Sequence, residues 1–151
     1  MMKLSSPKDS DLVIYPQDTD TVRLLYEKVY GNKAGIRKPT LETFTELVQM
    51  SDIVFSAFGV LFRMTHTDKT FPYIHALIYS HTAFRHRKEI HELLRAILFT
   101  NGYTGLQAII PEDKPNLGAI IERVGFTKLD IILGYFLYGQ SVLNGVRYIL
   151  D

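Results

Sequence analysis

The chain has 151 residues with no cysteine and no tryptophan, is 46% apolar and 22% charged, and carries a formal net charge of +1 from 17 Lys and Arg against 16 Asp and Glu. This length fits one ordinary core, expected as a single domain over residues 1–151, and the composition excludes a disordered or collagen-like chain. The missing cysteines exclude disulfides, zinc-thiolate sites, iron-sulfur clusters and thiol nucleophiles, and near-neutrality predicts no global attraction to nucleic acid or an acidic membrane. The start, Met1-Met2-Lys3-Leu4-Ser5-Ser6-Pro7-Lys8, lacks the apolar stretch of a signal peptide, and no apolar run reaches the ~18 residues that span a bilayer. The expectation is a cytoplasmic protein without a membrane partner.

Asp11 to Tyr15 is short, β-prone and followed by Pro16, which reads as an opening strand. Val22, Leu25, Tyr26 and Val29 then recur at helical spacing, with N-cap oxygens at Asp18 to Asp20 and a stop at Gly31-Asn32. A basic, glycine-bearing linker at 33–38 leads to a second helix opened by Pro39 or Thr40, with Leu41, Phe44, Leu47 and Val48 on its core face. Strands are expected at Ile53 to Phe58, Val60 to Thr65 and Tyr73 to Thr82, with a polar turn at Thr67 to Thr70, as an antiparallel meander. Ile90, Leu93, Leu94, Ile97 and Leu98 mark a long helix ended by Asn101-Gly102. A buried strand at Leu106 to Ile110 and a short helix from Pro115 to Val124, closed by Gly125, follow. The tail reads as a hairpin, with one arm within Leu129 to Leu143, a turn at Asn144-Gly145 and a return arm at Val146 to Leu150. No internal repeat or low-complexity segment interrupts this order.

Within 84–126 the pattern becomes specific. Arg85, Lys88, Ile90 and Leu93-Leu94, preceded by Phe84, stand at the spacing of a signature made of Arg or Gln, two residues, Gly, one residue, Gly or Ala, two residues and a Leu-Leu-like pair. Downstream, Leu106 to Pro111 leads through Pro115-Asn116 to Glu122-Arg123-Val124-Gly125-Phe126. In these features and in its order of elements the chain resembles the GCN5-related N-acetyltransferases, here in a divergent form with a degenerate pyrophosphate loop. The resemblance implies an α/β fold with a mixed, mostly antiparallel sheet of six or seven strands flanked by about four helices. It also implies acetyl-CoA as cofactor, Ser80, His81 and Thr82 near the pantetheine, and Arg85, His86, Arg87, Lys88, Glu89, Ile90 and Asn116 near the pyrophosphate and the rest of the coenzyme.

The residues at that loop set their own terms. Successive backbone N–H groups converge on a phosphate only where the backbone comes close and some φ is positive, which Gly permits and β-branched Ile90 resists. Arg85 to Lys88 concentrate positive charge at a helix N-terminus, where cations are unfavourable unless an anion or water screens them. The cluster therefore either grips phosphate through side chains or is a solvated basic turn. Acetyl transfer also needs a base and an acid. The position that resemblance assigns to a tyrosine acid, four residues before Gly125, is Ile121. Tyr79, Tyr135 and Tyr138 could substitute for it, against an ordinary packing role, with Tyr135 taken as the candidate. His75 and His81, six apart, would share one face of a strand reaching Thr82, and both are candidate bases, His81 first.

Five histidines without an i, i+4 pair or a completing carboxylate imply no metal site. Glu89 and Glu92 break up the basic edge that a nucleic-acid surface would want, so nucleic acid is not an expected partner. The leading expectation is an acetyl-CoA-dependent N-acyltransferase in which a small-molecule or protein amine attacks the thioester directly, with room for a homodimer or larger assembly. The competing expectation is a catalytically inactive domain of the same fold with a binding or structural role, for example a phage virion or assembly protein, which would place it in the virion.

Overall fold

The computed structural model describes residues 11–31, 38–138 and 140–151. In chain order the elements are β1 (Val13–Ile14), α1 (Thr19–Tyr30), α2 (Leu41–Gln49), β2 (Ile53–Ala57), β3 (Val60–Thr65), β4 (Tyr73–Ile78), α3 (Thr82–Arg85), α4 (Arg87–Asn101), β5 (Leu106–Pro111), α5 (Pro115–Val124), β6 (Thr127–Tyr138) and β7 (Ser141–Leu150). The seven strands follow the order β1-β2-β3-β4-β5-β7-β6 in one mostly antiparallel sheet, with β4 and β5 the parallel pair. Five helices accompany them, the extra one being the four-residue α3. The linker at 33–37 and Asn32 lie outside the described residues.

The described chain divides into two compact units. One holds the residues up to Thr65 together with Ala76–His86; the other holds His66–His75 and Arg87–Asp151. In the first, α1 begins where Asp18 accepts the Thr21 N–H at 3.2 Å and the Thr21 hydroxyl at 2.7 Å, and those bonds hold its carboxyl below the usual range. Thr40 caps α2 through the Thr43 N–H at 3.1 Å. Val22, Leu25, Val29 and Tyr30 of α1 and Phe44 and Val48 of α2 meet Val54 of β2 and Leu61 of β3 in one buried cluster. Tyr26, Tyr30 and Phe44 add three ring contacts with centroids 5.2 to 5.9 Å apart. Covered on both faces, β2 buries Val54, Phe55, Ser56 and Ala57 in succession, which is why it shows no alternation. Phe58 and Gly59 join β2 to β3 with φ of 55° and 79°, the positive pair of a two-residue hairpin turn.

In the second unit α4 buries Ile90, Leu94 and Leu98, and Gly102 closes it at φ 68°. The expected short helix is α5, and Gly125 ends it at φ 115° with its N–H on the Glu122 and Ile121 carbonyls. β5 pairs with β7 without interruption from Leu106↔Leu150 to Pro111↔Gly145. A buried Tyr148 faces α5 so closely that a Cβ at Gly118 would overlap its hydroxyl.

Two expectations change. The strand expected to run to Thr82 ends at Ile78: the Gly59 carbonyl accepts the N–H groups of Tyr79 at 2.9 Å and Ser80 at 3.2 Å, and the chain turns into α3. His81 therefore lies in the turn, and the shared strand face that linked it to His75 does not exist. Asn144-Gly145 is not the hairpin turn either, because both residues lie inside β7 and the reversal falls between Tyr138 and Ser141. Gly145 serves close packing instead: a Cβ there would come within 2.6 Å of Ile109 Cγ2. The Asn144 side chain accepts the Gly134 N–H at 2.9 Å.

Candidate functional site

Ser80, His81, Thr82, Arg85 and His86 are brought together in one turn of the first unit. The Ser80 and Thr82 hydroxyls are 2.5 Å apart, and the Thr82 N–H also reaches Ser80 Oγ at 3.3 Å. This local pairing competes with strand hydrogen bonding and starts the helical turn. The amides that follow are used at home: Ala83 N–H on the Ser80 carbonyl at 3.3 Å, Phe84 N–H on His81 at 3.2 Å and His86 N–H on Ala83 at 3.2 Å. No residue from Ser80 to Ile90 has a positive φ. The backbone here is thus a closed helical turn, without the open amide nest that glycines would build.

The side chains of the turn are better disposed toward a ligand. His81 and Arg85 are exposed, with the His81 ring 6.4 Å from the exposed Phe84. His86 is half-buried, its ring 5.1 Å from Phe58. Tyr79 packs against the first unit's core, with Lys28 Nζ 4.8 Å from its ring centre.

In the second unit Arg87, Lys88 and Glu89 are exposed on the first turn of α4, while Ile90, standing where the motif has a glycine or alanine, is a buried core residue. Among the described residues no carboxylate pairs with Arg85, Arg87 or Lys88. Asn116 is exposed in the first turn of α5, and His75 is half-buried in β4. Tyr135 is exposed on β6, its ring 4.9 Å from Phe136. The structure thus gathers the five residues of the α3 turn and the four of the α4 start, while His75, Asn116 and Tyr135 stand on other elements.

One tyrosine escaped the sequence reading. Tyr148 packs its buried ring against α5, and burial, then the Glu122 carboxylate, raises its phenol above the ordinary range. Its signal in the sequence is Gly118, an interior helical glycine, which marks a close approach. Among the described residues no group of three or more His, Asp and Glu could hold a metal ion, and no helix is long and apolar enough to cross a membrane.

The chemistry of each unit's residues suits a phosphate-bearing group such as coenzyme A: Arg85 with the Ser80 and Thr82 hydroxyls in the first, Arg87 and Lys88 in the second, none of these cations paired with a carboxylate among the described residues, while the α3 backbone adds no open cradle.

No protein-family model and no curated protein matches the sequence. The structure, by contrast, matches solved acetyltransferases. A chimera of the Vibrio cholerae spermidine N-acetyltransferase SpeG and hSSAT superposes with a TM-score of 0.67 at 12% identity, over 93% of this chain and 95% of that one. The Vibrio cholerae enzyme in a dodecameric intermediate state gives 0.62 at 11% identity, over 92% of each chain. The microcin C7 self-immunity acetyltransferase MccE, in complex with acetyl-CoA and AMP, gives 0.65 at 10%, over 92% of this chain and 91% of that one. At these identities the likeness is one of fold, and the fold is that of the GCN5-related N-acetyltransferases.

Proposed function

We propose that residues 1–151 form a single acetyl-CoA-dependent N-acyltransferase domain, and the observation that carries this is the run of cations Arg85, at the end of α3, and Arg87 and Lys88, at the start of α4, without a carboxylate partner among the described residues, in a fold shared with acetyltransferases. Like charge at a helix N-terminus opposes the dipole and is relieved by an anion. In this reading Arg85, Arg87 and Lys88 hold the pyrophosphate through side chains, with His86 and Glu89 next to them in the chain, the Ser80 to Thr82 turn serves the pantetheine and Asn116 the rest of the coenzyme, while the buried Ile90 serves the core instead. Acetyl-CoA, when bound, supplies the activated acyl group as a thioester. His81, exposed in the turn, takes the proton of the incoming ammonium so that the free amine can attack; His75 is the alternate base. Tyr135 would be the acid that protonates the departing thiolate. The acceptor is a small-molecule or protein amine, and a cytoplasmic setting suits both reactants.

Acetyl-CoA should raise the melting temperature, and with an amine such as spermidine free thiol should accumulate. Because the chain has no cysteine, a thiol reagent reads coenzyme A without protein background. No melting shift at millimolar acetyl-CoA overturns the proposal. With Arg87→Glu and Lys88→Glu together, the shift should fall by more than half.

A second reading has its own support. The closed α3 turn and Ile121 in the position of the family's acid suit a divergent domain that keeps the fold for binding or assembly, such as a phage virion component. Acetyl-CoA binding without turnover on any amine is its expected result.

A further inference from the structure

Along β5 burial alternates: Leu106, Ala108 and Ile110 are buried, while Gln107, Ile109 and Pro111 are half-buried. The uninterrupted pairing with β7 carries that alternation across the sheet. Tyr148 and Leu150 lie with the buried set, which faces α5 where the Tyr148 hydroxyl meets Gly118. Arg147, opposite Ile109, and Ile149, opposite Gln107, lie with the half-buried set on the other face, which the chain leaves partly open. Ile132 of β6, opposite Gly145, continues that face.

The open face centres on Gly145. Ile109, Tyr135 and Phe136 converge over its backbone, each 2.6 to 3.3 Å from where a Cβ would stand, and the two rings meet edge-on at 4.9 Å. Tyr135 is the acid of the proposed reaction, so an amine that approaches the thioester beside it meets these apolar side chains. Charge on this face is already spent. Among their described residues β4, β5, β6 and β7 hold one carboxylate, Asp130, which accepts two N–H groups of Arg147 at 2.8 and 2.5 Å. An ammonium placed beside that pair meets the guanidinium as well as the carboxylate. A polyamine keeps at least one ammonium besides the nitrogen that reacts, and here that charge would leave water without a partner. An amine with one nitrogen and an apolar body has no second charge to desolvate, and its body gains the contact with Ile109, Ile149 and the two rings.

We propose that the acceptor is a monoamine with an aromatic or aliphatic body, held on this face around Ile109, Ile149 and Tyr135, and that the closed Asp130–Arg147 pair discriminates against polyamines. The proposal rests on the acyltransferase reading and adds the acceptor class to it. At saturating acetyl-CoA, phenethylamine should release coenzyme A with a kcat/KM at least tenfold above that of spermidine. Arg147→Met keeps an apolar stem on the face and leaves Asp130 without its cation. It should shrink that ratio at least tenfold through a gain on spermidine, a change that damage to the fold does not produce. Independently of turnover, phenethylamine should shift the methyl resonances of Ile109, Ile132 and Ile149 in the full chain and leave that of Ile90, buried in α4, in place. Spermidine should shift none of them. Turnover of spermidine equal to or above that of phenethylamine overturns the proposal, as do unmoved Ile109 methyl signals or an unchanged ratio in Arg147→Met. Each of these leaves the acyltransferase reading standing while acetyl-CoA still raises the melting temperature, and absence of that shift overturns both.

Discussion

The two edge strands, β1 and β6, are built in opposite ways. β1 is two residues long, pairs with Phe55 and Ser56 and is stopped by Pro16, while Tyr15 ties it down through its N–H on the Val54 carbonyl at 2.9 Å and its hydroxyl at 2.7 Å from Ser56. β6 offers six times the length, and its apolar side chains point into solvent. Exposed apolar residues occur on both, with Leu12 just before β1 and Ile14 within it. What differs is whether enough backbone and side chain line up for another strand to use. Two residues followed by a proline cannot template a partner, whereas twelve can.

The strongest way to break the comparison is to ask which region holds the fold. Phe44→Ala, in the buried cluster beside β2 and β3, should cost about 3–5 kcal/mol in urea unfolding, whereas Leu133→Ala, measured on dilute chain, should change stability by less than about 0.5 kcal/mol. Equal costs would mean that β6 is core rather than surface. Next, Gly125→Ala should cost about 2 kcal/mol by thermal melting. The turn that launches β6 needs φ 115°, and an added Cβ would meet the His91 ring, which bonds the Val124 carbonyl at 2.7 Å. Tyr15→Phe should cost about 1 kcal/mol and speed amide exchange at Tyr15, because β1 has little else to hold it.

The smallest effect concerns pH. The Arg147 guanidinium, donating to Asp130 at 2.8 and 2.5 Å, holds that carboxyl below its usual range and raises its own proton affinity. A carboxyl lowered on folding stabilises above its unfolded value, near pH 4, and the contribution is lost as pH falls through the folded one. Asp130→Asn should therefore lower stability slightly across the neutral region and leave it unchanged at the acid end, where the parent carboxyl is protonated, so that the acid limb flattens. An unaltered acid limb would show the pair to be open in solution.

Residues with a clear period or cap were legible in the sequence. Val22, Leu25 and Val29 gave α1, Ile90, Leu94 and Leu98 gave α4, and Gly102 and Gly125 marked real helix ends. Asn144-Gly145 misled because its local turn preference was outweighed by packing of Gly145 against Ile109 and by the Asn144 bond to Gly134. Tyr79 to Thr82 looked like strand because no four-residue helix has a period to read, and the carbonyl that turns it belongs to Gly59, some twenty residues earlier. The cations Arg85, Arg87 and Lys88 were visible as a charge run. That the neighbouring amides of α3 bond to one another was not, because Gly or its absence says where a nest is cheap but not where a helical turn forms instead.

The contact between Gly59 and Ser80 has a consequence for how this sequence can drift. A Cβ at 59 would come within 2.7 Å of Ser80 Cβ and 3.0 Å of the Thr82 hydroxyl, at a residue already held at φ 79°. The β2–β3 turn and the segment carrying His81 and Arg85 are thereby tied as one heritable unit. Shrinking position 80 to glycine would not free position 59, because the positive φ, the Thr82 hydroxyl and the backbone carbonyl of residue 80 at 3.2 Å would remain, so descendants of this chain should keep glycine at 59 whatever happens at 80.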